Sequence, residues 1–130
     1  ETKRLDISAV DGTIPIVKAY AGMQGDLLEA IAHTKVDGLV IEALGAGNLP
    51  PQALAALEKL LVQKIPVVLV SRCFNGIAEP VYDYEGGGKE LEKMGIIFCN
   101  SINSQKARLK LLIAVNYGLS GEELISFIQN

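Results

Sequence analysis

The stretch from Asp37 to Asn48, DGLVIEALGAGN, running on into Leu49, Pro50 and Pro51, decides how the chain folds. Gly38 opens a short apolar run, Leu39 to Ile41, that is hydrophobic on both of its alternating sides, the mark of a strand covered on both faces in a parallel sheet. Ala43 to Asn48 then breaks into small residues, and α/β folds place ligands where a strand empties into such a loop. Proline is tolerated in the first turn of a helix, so Pro50 and Pro51 predict a helix over Ala53 to Lys64 whose early N–H groups point back toward Asn48. Asn48 itself is placed to cap that helix.

Outward from this stretch the same alternation continues. On the N-terminal side, Ile14 to Tyr20 (IPIVKAY) reads as a first strand, begun or held at a sheet edge by Pro15. Asp26 to Thr34 follows as a helix with Leu27, Leu28, Ile31 and Ala32 on one face. On the C-terminal side, Leu54, Leu57, Leu60 and Leu61 recur at helical spacing, and Val67 to Val70 supplies a third strand. Lys89 to Met94 predicts a short helix and Gly95 to Phe98 a fourth strand. Gln105 to Tyr117 predicts an amphipathic helix with Leu109, Leu112, Ile113 and Asn116 on one face. Ser120 and Glu123 predict a capping box for a last helix held by Leu124, Phe127 and Ile128.

These elements predict a three-layer α/β domain of the Rossmann/flavodoxin-like kind, a mainly parallel four-stranded sheet with helices on both faces. Residues 1–13 read as a polar lead-in segment and residues 14–130 as the folded domain. Right-handed crossovers would gather the glycine loops along the carboxyl edge of the strands. Ser71 to Gly88 (SRCFNGIAEPVYDYEGGG), long and rich in Gly, Asn and Pro, is then a functional loop on that edge.

Composition narrows the classes. With 130 residues, 49% of them hydrophobic but only 5% aromatic and none tryptophan, the chain can bury a single aliphatic core. A formal charge of −3 argues against nucleic acid as a partner. Lys106, Arg108 and Lys110 form the densest basic group and read as a solvated helix face. No run approaches the roughly 20 apolar residues of a membrane span, so no membrane partner is expected. Cys73 and Cys99 lack metal-ligand spacing and read as free thiols in a reducing compartment.

The chemistry-bearing residues are few. Gly45-Ala46-Gly47-Asn48 lacks the third glycine of a dinucleotide loop and the Lys-Ser/Thr pair of a P-loop, so no nucleotide cofactor is expected, nor a metal. Ser71-Arg72-Cys73 would suit a nucleophile given a base, but His33, the single histidine, falls at the far end of the first helix, and no catalytic pair results. Glu85, between Tyr84 and three glycines, sits on backbone that can approach another surface closely. Asn48 and Glu85, an amide and a carboxylate on neighbouring loops, make a clamp for an amino-acid ammonium group without themselves being catalytic.

Taken together, DGLVIEALGAGNLPP, IPVVLVSRCFNGIAEPVYDYEGGG and INSQKARLKLLIAV resemble the C-terminal domain of the bacterial L-asparaginase family over Ile14 to Val115. The resemblance implies hydrolysis of L-asparagine to L-aspartate and ammonia. In that family a threonine nucleophile and the Thr-Lys-Asp group that activates it lie in a larger N-terminal domain, whose motifs are absent from this sequence. It further implies that Asn48 and Glu85 bind substrate in an active site completed by a neighbouring subunit, hence a homo-oligomer, with no catalytic residue in this chain and no activity from it alone. Glu42 stands where some cytoplasmic members carry an arginine beside a regulatory asparagine, which speaks against that regulation here. The Ser-Arg-Cys and Tyr-Glu-Gly segments look more like cytoplasmic members than secreted ones. Two alternatives remain open: the asparaginase-like subunit of the tRNA-dependent amidotransferase, and a stand-alone small-ligand-binding module.

Overall fold

The computed structural model describes residues 10–45, 48–71, 87–100 and 102–130. Within them, β1 (Ile16–Lys18), β2 (Leu39–Ala43), β3 (Val67–Ser71) and β4 (Ile97–Phe98) form one parallel sheet in the order β1-β2-β3-β4. Five helices accompany the strands among the described residues: α1 (Asp26–Ala32), α2 (Leu54–Val62), α3 (Gly88–Met94), α4 (Ser104–Asn116) and α5 (Gly121–Gln129). The α/β reading of the sequence, with helices on both faces of a parallel sheet, is the architecture observed.

The strand order explains which helix covers which face. Each new strand is added on the same side of the last, and a crossover of fixed hand then puts every connecting helix on the same face. Leu28 and Ala32 of α1, Leu54, Leu57 and Leu60 of α2 and Leu91 of α3 accordingly share one core with Val17, Leu39, Ile41, Ala43, Val67, Leu69 and Phe98. The opposite face is closed by the two helices that follow β4, where Ala107, Leu111 and Ala114 of α4 and Leu124 and Ile128 of α5 meet Val40, Val68, Val70, Ile97 and Cys99. Successive residues of β2 and β3 thus feed alternate cores, so both strands read as unbroken apolar runs. Each fully buried leucine or valine withdraws a side chain worth about 1.5–3 kcal/mol from water.

Two expectations about local structure are corrected. The face of α4 that enters the core carries Ser104, Ala107, Leu111 and Ala114, whereas Leu109 is 54% exposed. Hydrophobicity alone favoured the larger residues, but α4 lies close against the strands, and Gly38 already approaches Leu111 so nearly that a Cβ there would meet its Cδ2 at 2.9 Å. Small side chains at Ala107 and Ala114 suit that approach. The capping box at α5 does not form: Ser120 takes the N-cap position with extended backbone and makes no side-chain cap bond. The cap the sequence reading missed is at α4, where the Asn103 side chain accepts from the Lys106 N–H at 2.9 Å.

The lead-in is tied to the domain from Asp11 onward. The Asn116 carboxamide donates to the Asp11 carbonyl at 2.7 Å and accepts its N–H at 3.2 Å, and Asp37 accepts the Thr13 N–H at 2.8 Å. On the other face, Lys59 of α2 donates to Glu29 of α1 at 2.9 Å, and this hydrogen bond and the lysine charge hold the exposed Glu29 carboxyl below its ordinary value.

The exit from α2 carries local strain. The Lys64 N–H bonds to the Leu61 carbonyl and the Ile65 N–H to the Leu60 carbonyl, a Schellman ending whose left-handed position, usually glycine, holds Lys64 at φ 60°. Relief of a left-handed side chain is worth about 1–2 kcal/mol, offset by about 0.5–1 kcal/mol for the added freedom of glycine in the unfolded chain. Lys64→Gly is therefore expected to raise the urea midpoint slightly. The corrected face of α4 makes a sharper prediction: Leu111→Ala should lower unfolding stability by about 2–5 kcal/mol, while Leu109→Ala should stay within about 0.5 kcal/mol. Equal losses in urea titrations of the two variants would mean that α4 is rotated from this seating.

Candidate functional site

At the carboxyl edge of the sheet β2 and β3 finish together, Ala43 paired with Ser71. Beyond Ala43 the chain folds back at once: Leu44 and Asn48 form an antiparallel bridge, each donating its N–H to the other's carbonyl at 2.8 Å. Gly45 opens the intervening loop at φ +49°, a left-handed conformation that glycine adopts without a Cβ clash. The Ser71 hydroxyl donates to the Gly45 carbonyl at 2.6 Å, so the end of β3 grips the loop that leaves β2. Buried Leu49 and Pro50 then lead into a single 3-10 turn, Pro51–Ala53, ahead of α2.

This geometry corrects the capping role expected of Asn48. Pro50, not Asn48, holds the N-cap position of the turn, with no side-chain cap bond, and the Asn48 backbone is used in the bridge to Leu44. Its carboxamide is thereby released from any helical duty. Among the described residues its Oδ1 is the buried side-chain oxygen with no hydrogen-bond partner. Leaving a buried acceptor unpaired costs about 1–3 kcal/mol, so the loop carries an unsatisfied polar group that a donor would complete. Glu85, the other clamp residue expected from sequence, lies outside the described residues, as do Ala46, Gly47, Arg72 and Cys73.

A second polar cluster sits on the α4 side of the same edge. Glu42 accepts from the hydroxyl of Ser104, the first residue of α4 and 3% exposed, and Lys18 of β1 stands 3.9 Å from its other oxygen. The sequence reading noted Glu42 but missed Ser104; Asn103, a strong N-cap residue just before a helical pattern, was the signal that α4 starts there. Lys18 is largely exposed, so the serine is the partner that the half-buried carboxylate depends on.

The remaining candidates are structural. Arg108 donates to the Ile14 carbonyl at 2.7 Å, and Lys110 donates to the Ile128 carbonyl at 3.1 Å while lying over the Phe127 ring. Two of the three basic residues expected to form a solvated face therefore clamp β1 and α5 to α4. His33 ends α1, the helix that leads into the start of β2, whereas Ser71 ends β3. The length of a strand, about 3.3 Å per residue, separates those two edges, so Ser71 and His33 are not brought together. Cys99 is a buried free thiol whose Sγ lies 3.6 Å from the Ile128 carbonyl, and burial pushes its pKa up against the opposing charge of Lys110. It is a core residue rather than a nucleophile. Among the described residues no group of three or more His, Cys, Asp and Glu could hold a metal ion, and no helix is long and apolar enough to cross a membrane.

Residues 13–127 match the family model described as the glutaminase/asparaginase C-terminal domain. A Deinococcus radiodurans protein named "Probable L-asparaginase" is 46% identical over 114 residues, covering 85% of this chain and 33% of its own length. A Bacillus licheniformis protein named "L-asparaginase" is 34% identical over 100 residues, covering 77% and 31%. The chain thus spans about a third of the length of these curated relatives. A glutamyl-tRNA(Gln) amidotransferase subunit from Pyrococcus abyssi is more distant, 25% identical over 116 residues, covering 88% of this chain and 26% of its own. Among solved structures, L-asparaginase I from Vibrio cholerae superposes with a TM-score of 0.81 at 22% identity, over 99% of this chain and 39% of its own. The thermostable L-asparaginase from Thermococcus kodakarensis gives 0.79 at 21%, over 100% and 41%, and both likenesses concern the fold.

The Glu42–Ser104 contact can be measured by a double-mutant cycle. Ser104→Ala is expected to cost about 1.5–3 kcal/mol, the range for hydrogen bonds to charged groups, and Ser104→Ala with Glu42→Gln less than the sum of the single changes. Strict additivity in thermal unfolding would show that the carboxylate and hydroxyl do not interact in solution.

Proposed function

Because the chain belongs to the glutaminase/asparaginase C-terminal domain family, we propose that it is the smaller domain of an L-asparaginase, and that it supplies Asn48 and Glu85 to hold the α-amino end of L-asparagine. The observation that carries this reading is the buried, unpartnered Oδ1 of Asn48. An ammonium group is the donor that such an oxygen lacks, and a carboxylate such as that of Glu85 would balance its charge. Identity of 46% to a relative named a probable L-asparaginase, against 25–32% to amidotransferase subunits, supports hydrolysis over the tRNA-dependent alternative.

The reaction in this proposal is covalent acyl transfer. A threonine of the upstream domain attacks the side-chain amide carbon, ammonia leaves, and water releases aspartate from the acyl-enzyme. This chain holds neither the nucleophile nor its base; its part is to fix the amino end so that the amide carbon faces the threonine. The partners are accordingly an N-terminal asparaginase domain, L-asparagine and, since the site is shared between subunits, further copies of the same protein. A buried free thiol at Cys99 agrees with a cytoplasmic setting.

Ammonia release from L-asparagine should be absent with this chain alone and present when it is joined to the upstream part of the Deinococcus radiodurans relative. Asn48→Ala and Glu85→Gln should each then lower kcat/KM by about ten- to a hundredfold, the loss of one charge-assisted hydrogen bond. The unpaired acceptor adds a stability signature. Asn48→Ala removes a buried polar group with no partner, so the chain alone should unfold at an unchanged or higher temperature. A marked fall in melting temperature would show the carboxamide to be structural, and turnover by the lone chain would place the nucleophile within it.

A further inference from the structure

Asn48 can serve a ligand only if its loop has one conformation, and the local sequence works against that. Gly45 enters the loop at φ +49°, where glycine has free access to other backbone wells, and the bridge between Leu44 and Asn48 fixes the base of the loop. Among the described contacts, the Gly45 carbonyl is gripped from outside the loop by Ser71 Oγ at 2.6 Å. Ser71 is firmly seated for such a grip, because it is the last residue of β3, in register with Ala43 one residue before the bridge, on a strand whose preceding residue, Val70, is 1% exposed. The Asn48 Nδ2 in turn lies 3.7 Å from where a Cβ on Gly45 would stand, which places the carboxamide beside the residue that Ser71 holds.

We propose that Ser71 is a positioning residue for Asn48: its hydroxyl fixes the Gly45 carbonyl, and through it the orientation of the Asn48 carboxamide toward the substrate ammonium group. The inference rests on the reading of Asn48 as a substrate-binding residue. Ser71 touches no reacting atom in this role and acts through the loop next to it. An interaction made equally with bound substrate and transition state changes KM more than kcat, so a positioning role for a group that holds the distant amino end has a kinetic signature.

Two measurements on Ser71→Ala, Ser71→Thr and Asn48→Ala test it. In the chain alone, hydrogen exchange at the Asn48 and Leu44 backbone amides should quicken by about two- to tenfold in Ser71→Ala, the value of one hydrogen bond, and be restored in Ser71→Thr, which keeps the hydroxyl. In the chain joined to its upstream domain, KM for L-asparagine should rise by about the same factor in Ser71→Ala with kcat nearly unchanged, and return in Ser71→Thr. Faster exchange without a change in KM would reduce Ser71 to a structural role and overturn the proposal. Unchanged exchange and KM in Ser71→Ala, with KM raised in Asn48→Ala, would overturn it while leaving the reading of Asn48 intact. Unchanged KM in Asn48→Ala would overturn both.

Discussion

The pairing of β2 with β3 over five residues, Leu39 with Val67 through Ala43 with Ser71, is the constraint on which the rest of the domain depends. It places alternate side chains of both strands in two separate cores, and it brings the two strand ends to the same height. A slip of one residue would send Leu39, Ile41 and Ala43 to the face of α4 and α5 and Val40 to the face of α1 to α3, exchanging a set of fitted volumes for another. It would also carry Ser71 away from Gly45. Core packing and site geometry are thus two consequences of one register.

The two faces of the sheet are built differently, and the difference follows from strand order. Leucines of α1, α2 and α3 dominate one side. On the other side α4 comes close over Ala107 and Ala114, and its ends are fastened by polar contacts: Ser104 to Glu42 at the carboxyl edge, Asn116 to Asp11 at the opposite one, Arg108 and Lys110 to carbonyls of β1's lead-in and of α5. Hydrogen bonds to charged groups are directional, so they set the rotation of a helix that apolar burial alone would leave free to turn its larger residues inward. With the close approach at Gly38, they keep Leu109 outside.

The carboxyl edge satisfies its backbone but not one of its side chains. The Leu44–Asn48 bridge and the Ser71 hydroxyl satisfy the backbone of the loop, and the same arrangement leaves Asn48 Oδ1 buried and unpaired. A cap bond to the helix that follows cannot satisfy it, because the two positions whose N–H groups an asparagine cap would take are Pro50 and Pro51, which have none, and the turn starts instead at Pro50. The proposed activity gives that acceptor its donor, the ammonium group of the substrate.

The fold class was legible in the chain because parallel strands buried on two sides advertise themselves as short apolar runs, and Leu39 to Ile41 and Val67 to Val70 did so without ambiguity. The loop at the carboxyl edge was legible for a related reason: glycine and proline straight after an apolar run break it, so Gly45 and Pro50 marked where β2 ends. The resemblance of the same stretches to asparaginases pointed to the family before any geometry. What only the tertiary structure decided were the relations between segments distant in sequence. Which face of α4 turns inward depends on how near the helix can come to Gly38, and the acceptor of the Ser71 hydroxyl, the Gly45 carbonyl 2.6 Å away, is a partner 26 residues distant in sequence. Periodicity reports which residues share a face of one element, but the partner of a hydroxyl or a carboxamide is set by distances that arise only when β2 and β3 lie side by side.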